Sequence, residues 1–354
     1  MKKLFYVAVL AFVASFMLYG CSEPKEPKQE IRNWVWVTPH LCEGEAEWTE
    51  LLSSYKEAGI DAVLVENEVP EGIFAAGEKS GVEIHLWWWC VNRRGDEQAH
   101  QHPEWFAVNK NGLSCYDNPP YVDYYKWVCP SQPEVQEYLL QRFEEVCQID
   151  SLSGVSLDYV RYSDAILPVT LQPNYGIVQD KVYPEWDYCY CDYCREEFKQ
   201  LYGIDPMDIE EPSEHEEWMR WRWDSITKVV NQMVEIAHRY GKTITASVFP
   251  TPEMSRQMVR QDWSAWNLDY VLPMMYHNFY AEDIEWIADC VEESLTEVDY
   301  PVYAGIMMGR NADPQQIVDI YNLVRERGGA GVSVFSGGSF SEAQREALGR
   351  RMTE

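Results

Sequence analysis

The sequence predicts an α/β chain closed into a (β/α)8 barrel, and three observations lead there. Short β-branched or aromatic runs alternate with amphipathic stretches of helical period, which is the pattern of parallel βα units. Eight such runs can be counted, the number that closes a barrel. No glycine-rich phosphate loop follows the first run, which removes the main argument for an open doubly wound sheet.

In chain order, the first strand is IRNWVWVTP from Ile31, and the helix after it, EWTELLSSYKEAG, is stopped by Gly59. The second strand is IDAVLVENEV from Ile60 and the third is VEIHLWWWCVN from Val82. PEVQEYLLQRFEEV, opened by Pro133, is the helix that leads into the fourth strand, GVSLDYVRY from Gly154. TITASVFPTP from Thr243, DYVLPMMY from Asp269, PVYAGIMMG from Pro301 and AGVSVFSGG from Ala330 complete the set. PQQIVDIYNLVRERGG is the helix between the last two, ended by Gly328 and Gly329. Two connections exceed the usual few residues, 92–132 after the third strand and 163–215 after the fourth. Both follow strand C-termini, so both are expected over the face where a barrel keeps its chemistry.

The N-terminus has Lys2 and Lys3, an apolar run over residues 4–19, and small Gly20 before Cys21. This is the layout of a bacterial lipoprotein signal, so residues 1–20 are expected to be removed and Cys21 lipidated. Residues 21–30, rich in Pro, Lys and Glu, read as a tether, and residues 31–354 as one domain. The expected location is the outer membrane, periplasmic or cell-surface facing, with the membrane touched only through the lipid. Loss of two lysines and no acids with the signal moves the formal charge from −29 to −31. A surface that acidic repels phosphate backbones, which argues against nucleic acid. It also disfavours anionic polysaccharides unless Arg93, Arg94 or Arg161 makes a local basic pocket. Fifteen Trp and twenty-three Tyr are many; their usual place is the core, but an excess at strand ends and in loops suits stacking against sugar rings.

In WDYCYCDYCREEF, Cys189, Cys191 and Cys194 form a C-x-C-x-x-C knuckle within the second long connection. A tetrahedral zinc takes four ligands, and Cys129 in VCPSQPEV is the candidate for the fourth. Disulfides are the rival reading in an exported protein, although C-x-C geometry suits them poorly. Cys42, Cys90, Cys115, Cys147 and Cys290 are expected as small buried apolar residues. No organic cofactor is expected.

GVEIHLWWW, HPEWFAVNKNG, CPSQPEVQEYLLQRFEEV with GVSLDYVRY, and SVFPTPEMSRQMVRQDWSAWNLDYVLPMMYHNFY together resemble, in that order, the family 10-like hypothetical glycoside hydrolases. These are bacterial barrel proteins often exported as lipoproteins, and the similarity spans about two-thirds of the mature chain. The knuckle with its Cys-Pro partner resembles the structural zinc site of family 42 β-galactosidases. The resemblance implies a (β/α)8 TIM barrel and a glycosidase-like activity on carbohydrate. One departure stands out against chitinase-type barrels, whose fourth strand ends in alternating acids: Asp158 can fill the second acid, but Val160 stands where the catalytic Glu would be.

Glycoside hydrolysis needs two carboxyl groups across the scissile bond. Asp158, at the end of an interior strand, is the first candidate, since an ionisable group there must be paired, solvated by a cleft or used. Glu66 is the preferred second, with Glu68 two residues on, and Asp164 and Glu253 are alternatives. His85 and Trp87, with the family's His-x-Trp spacing, and Tyr276, His277, Asn278 and Arg161 are assigned to substrate contact, His85 being equally readable as a core histidine. Trp88 and Trp89 are expected to pack outward. No serine elbow, HExxH helix or nucleotide loop is present, and a metal-dependent polysaccharide deacetylase lacks its His-His-Asp set. The expected function is glycoside hydrolysis by a carboxylate pair, and the alternative is a non-catalytic carbohydrate-binding surface lipoprotein on the same barrel.

Overall fold

The structure, a computed structural model, describes residues 32–353. The signal, Cys21 and tether expectations lie outside the described residues. Eight parallel strands, β1 (Trp34–Val37), β2 (Ala62–Glu66), β3 (Glu83–Trp89), β4 (Gly154–Asp158), β5 (Thr243–Val248), β6 (Tyr270–Pro273), β7 (Tyr303–Met307) and β8 (Gly331–Phe335), form one sheet. Its order is β6-β5-β4-β3-β2-β1-β8-β7, so neighbours in sequence are neighbours in space and β8 pairs back onto β1. β6 and β7 meet only through the bridges Val271↔Val302 and Met274↔Gly305, which leaves a seam in an otherwise continuous (β/α)8 TIM barrel. No helix among the described residues is long and apolar enough to cross a membrane.

Strand alternation divides the side chains between two environments. Val63, Val65, Ile84, Leu86, Trp88, Val155 and Leu157 face outward into the core shared with the helices, where Trp88 packs on Phe143 of the helix Pro133–Cys147. Their neighbours face inward. Trp34 touches the rings of His85, Tyr270 and Tyr303, on three other strands, which only an inward side chain can reach. One layer higher, Phe335 meets the rings of Trp36, Trp87 and Tyr276. Gly154 makes room for the lower layer, because a Cβ there would stand 2.5 Å from His85 Nδ1 and 2.2 Å from the Thr243 carbonyl oxygen.

The two long connections are partly ordered by helices. Turns at Ala99–Gln101 and Pro103–Trp105 interrupt the first, and the helix Asp192–Tyr202 lies inside the second, ahead of the barrel helix Glu216–Arg239. The second connection also crosses the mouth: the Thr170 amide and hydroxyl donate to the Phe279 carbonyl beyond β6.

Candidate functional site

The inward positions at the C-terminal ends of β2, β3 and β4 are Glu66, Trp89 and Asp158. Register ties them together, with Glu66 opposite Trp87 and Trp89 opposite Asp158. Asp158 is buried, and both of its oxygens accept hydrogen bonds: Oδ2 from the Trp87 indole at 2.7 Å and Oδ1 from the Tyr159 amide at 2.5 Å. Tyr159 has φ +49°, a left-handed turn that stops the strand and brings its ring against Trp89, 4.5 Å between centres and tilted by 43°. Burial pushes the Asp158 carboxyl up to about 6, against the pull of those two donors and of Arg161, while the Glu66 charge pushes the same way as burial. Glu66 is half-buried and is also raised by burial, with Arg94 and His40 opposing. A buried carboxyl near neutrality and a second carboxyl within electrostatic range are the elements of acid–base chemistry.

The remaining expected residues divide. Tyr276 is buried at the exit of β6, lies at a tilt against Phe335 and feels the Asp158 charge. Arg161 is buried, but its partner is Asp164, at 3.1 Å, while the faces of Trp127, Phe249 and Tyr159 surround its head. That contact engages Asp164, and the exposed Glu253 pairs with Arg256 at 3.1 Å, which leaves Glu66 as the second carboxyl group at the mouth among those weighed. His277 is buried, its pKa lowered by burial, and Asn278 is exposed, its carbonyl accepting from the Thr170 hydroxyl.

Three expectations need correction. Glu68 does not share a face with Glu66: β2 ends at Glu66 and Asn67 turns left-handed with φ +52°, so the period of two is broken and Glu68 points out, 3.8 Å from the exposed His40. His85 lies in the lower layer, fully enclosed, beside Trp34 and bonded to Glu83 Oε2 at 3.0 Å, so it is held by the barrel interior and does not reach the mouth. Trp89 does not pack outward. It has the parity of Trp87, whose ring it meets at 6.4 Å, and it lines a groove of about 600 Å3 with Glu66, Asn67, Asn92 and Arg94. Asp158 is not a wall of that groove, although the charge of Glu66, which is one, reaches it.

Sequence reasoning missed Trp89 and its neighbour Tyr124, an exposed ring 6.5 Å from Trp89. The alternation within EIHLWWW carried the signal for Trp89. Tyr124 gave none, because it comes from the irregular connection.

The four cysteines meet where the two long connections come together. Cys129 from the first long connection and Cys189, Cys191 and Cys194 from the second are all buried, with their sulfur atoms within 4.8 Å of one another. Sulfur separations of 3.4 Å (Cys129–Cys194 and Cys191–Cys194) and 3.8 Å (Cys129–Cys191) match the roughly 3.8 Å edge of a tetrahedron with ~2.3 Å zinc–sulfur bonds. The Val108 and Cys191 amides donate to the Cys189 sulfur and the Gln132 amide to that of Cys191, as thiolate ligands require. The donor set therefore fits a metal ion. Cys90, Cys115, Cys147 and Cys290 are buried as expected, and Cys42 is half-buried. Beside the cluster, Asp187 Oδ1 bridges two buried guanidinium groups, Arg222 at 2.6 Å and Arg260 at 3.0 Å.

Comparison with known proteins bears on this arrangement. The model of the family described as glycosyl hydrolase-like 10 matches residues 67–321. No curated protein sequence matches the chain significantly. Among solved structures, the catalytic domain of a β-amylase from Paenibacillus polymyxa is 12% identical with a TM-score of 0.57, over 91% of this chain and 97% of that one. A β-galactosidase from Bacillus circulans sp. alkalophilus is 14% identical with a TM-score of 0.55, over 87% of this chain and 50% of that one. A cold-adapted β-galactosidase from Rahnella sp. R3 is 11% identical with a TM-score of 0.57, again over 87% and 50%. The chain thus spans about half the length of these two galactosidases, and at such identities the likeness is one of fold.

Proposed function

Because this chain belongs to the glycosyl hydrolase-like 10 family, we propose that it is a glycoside hydrolase cleaving an oligo- or polysaccharide with the carboxyl groups of Asp158 and Glu66. The observation that carries the reading is Asp158, a buried carboxyl group at the end of an interior strand with its pKa pushed up to about 6. Such a group keeps a proton in mildly acidic solution and can deliver it to a departing glycosidic oxygen, while the indole and amide donors fix where it points. Glu66, inward on β2, serves as the second carboxylate, acting on the sugar or on water. Tyr276 and Trp89 supply aromatic faces for the sugar.

In this reading the four-cysteine cluster holds a structural zinc, which would supply a cross-link between the two long connections and leave the reaction to the carboxyl groups. The lipid on Cys21 would hold the enzyme at the outer membrane, its barrel in the periplasm or at the cell surface.

The test is sugar release from a broad glycan panel by the protein beside its Asp158→Asn and Glu66→Gln variants. Release abolished by the first and strongly reduced by the second supports the assignment. Undiminished release by Asp158→Asn would move the chemistry elsewhere, and glycan binding without release by any of the three would make the chain a carbohydrate-binding protein.

A further inference from the structure

One arginine is used differently from the others. Arg93 bonds Asp96 and the Cys90 carbonyl, Arg142 pairs with Glu145 and Arg161 with Asp164. Every other arginine among the described residues, Arg94 apart, likewise has an ion pair or hydrogen bond. Arg94 is exposed and makes neither contact with any described residue, in a chain of net charge −29 where acids are plentiful. Its guanidinium carbon instead lies 6.0 Å from the ring centre of Trp89 and 5.6 Å from that of Tyr124. It is a wall of the same groove as Glu66, whose carboxyl group it holds down against burial.

Attraction to two ring faces keeps a cation in place without occupying its N–H groups. The donor fork of Arg94 is thus presented at the groove, unused by the described residues. We infer that Arg94, carried on Trp89 and Tyr124, forms a subsite for a sugar bearing an anionic group, a carboxylate or a sulfate. This rests on the proposed glycosidase reading only in that it places a glycan in the groove.

Two physical arguments support the assignment. A guanidinium pairs with carboxylate or sulfate oxygens through parallel N–H bonds, and the partner's orientation is fixed as well as its position. The acidic surface repels an anionic glycan elsewhere, so one unpaired cation beside Glu66 sets which sugar of the polymer stops there. Arg93, next in sequence, cannot do this, because its head is turned into its own loop by Asp96 and the Cys90 carbonyl.

The experiment is binding to an array of uronate-bearing, sulfated and neutral glycans, with the protein beside Arg94→Gln and Arg94→Lys, at low and high salt. The expected result is preferential retention of acid-bearing glycans, weakened at least tenfold in Arg94→Gln, less in Arg94→Lys, and weakened further by salt. The uronate and sulfated members separate the two sources of the charge. Retention of neutral glycans alone, retention of none, or an acid preference that persists in Arg94→Gln would overturn the proposal. An Arg94-dependent acid preference with no sugar release from any glycan would leave this subsite standing and sink the hydrolase reading.

Discussion

The indole of Trp87 reaches diagonally from β3 to β4 to donate to Asp158, although its partner in register is Ser156. The bond joins the upper aromatic layer of the barrel to the carboxyl group at its mouth. It also opposes burial, since a donor stabilises the ionised form that burial disfavours.

Trp87→Phe keeps the ring and removes that donor. The Asp158 titration should then move further above the value of about 6 to which burial already raises it, by about 0.7 unit if the bond contributes ~1 kcal/mol. For a proton donor, the alkaline limb of the pH–rate profile moves to higher pH. An unchanged limb would mean that Asp158 does not set it.

Folding should register the same group. The folded pKa of Asp158 lies above its unfolded value, so its ionisation opposes folding: stability is greatest below pH ~4, falls as pH rises through ~6 and levels off above that. The loss is on the order of 2–3 kcal/mol. In Asp158→Asn this part of the pH dependence should vanish. Paired melting curves at pH 4 and pH 7 for the two proteins check it, and parallel changes would refute it.

The cysteine cluster predicts one bound zinc per chain by elemental analysis, lost in Cys194→Ser. Chelation should lower the melting temperature by roughly 5–10 °C, as expected if a few kcal/mol of stability depend on the ion. A melting curve indifferent to chelator, with no metal in the purified protein, would remove the metal from the account.

Asp187→Asn should be among the most damaging substitutions away from the mouth. It strands Arg222 and Arg260, both buried, with reduced compensation for their charge. A loss of about 3–5 kcal/mol is expected by urea unfolding, against less than ~1 kcal/mol for Glu216→Gln, which breaks the exposed pair of Glu216 with Arg220.

Much of the fold was legible because each strand carries its own signal. Apolar runs bounded by turn residues fix eight strands, and Gly59, Pro133 and Gly328 punctuate the helices between them. The cysteine cluster was legible for a different reason: three thiols within six residues have few roles, and the fourth came with its own Cys-Pro context. What failed was orientation. The spacing of Glu66 and Glu68 assumes an unbroken strand, and the left-handed Asn67 between them could not be foreseen from side-chain type. His85 and Trp87 share a parity, but height along the strand decides that one is enclosed and the other reaches Asp158. Tyr124 and Arg94 meet Trp89 through an irregular connection, whose path no local pattern dictates.

The seam between β6 and β7 gives the mouth two mechanical halves. Glu66, Trp87 and Asp158 stand on β2, β3 and β4, which are laced to one another along their whole length. Tyr276 follows β6, whose far edge is joined to the next strand at two points only. A bulky ligand pressing on this ring of strands therefore meets a stiff side and a yielding side. In the proposed glycosidase reading, the two carboxyl groups, whose spacing would set the reaction, belong to the stiff side, and accommodation would fall to the arc that carries Tyr276.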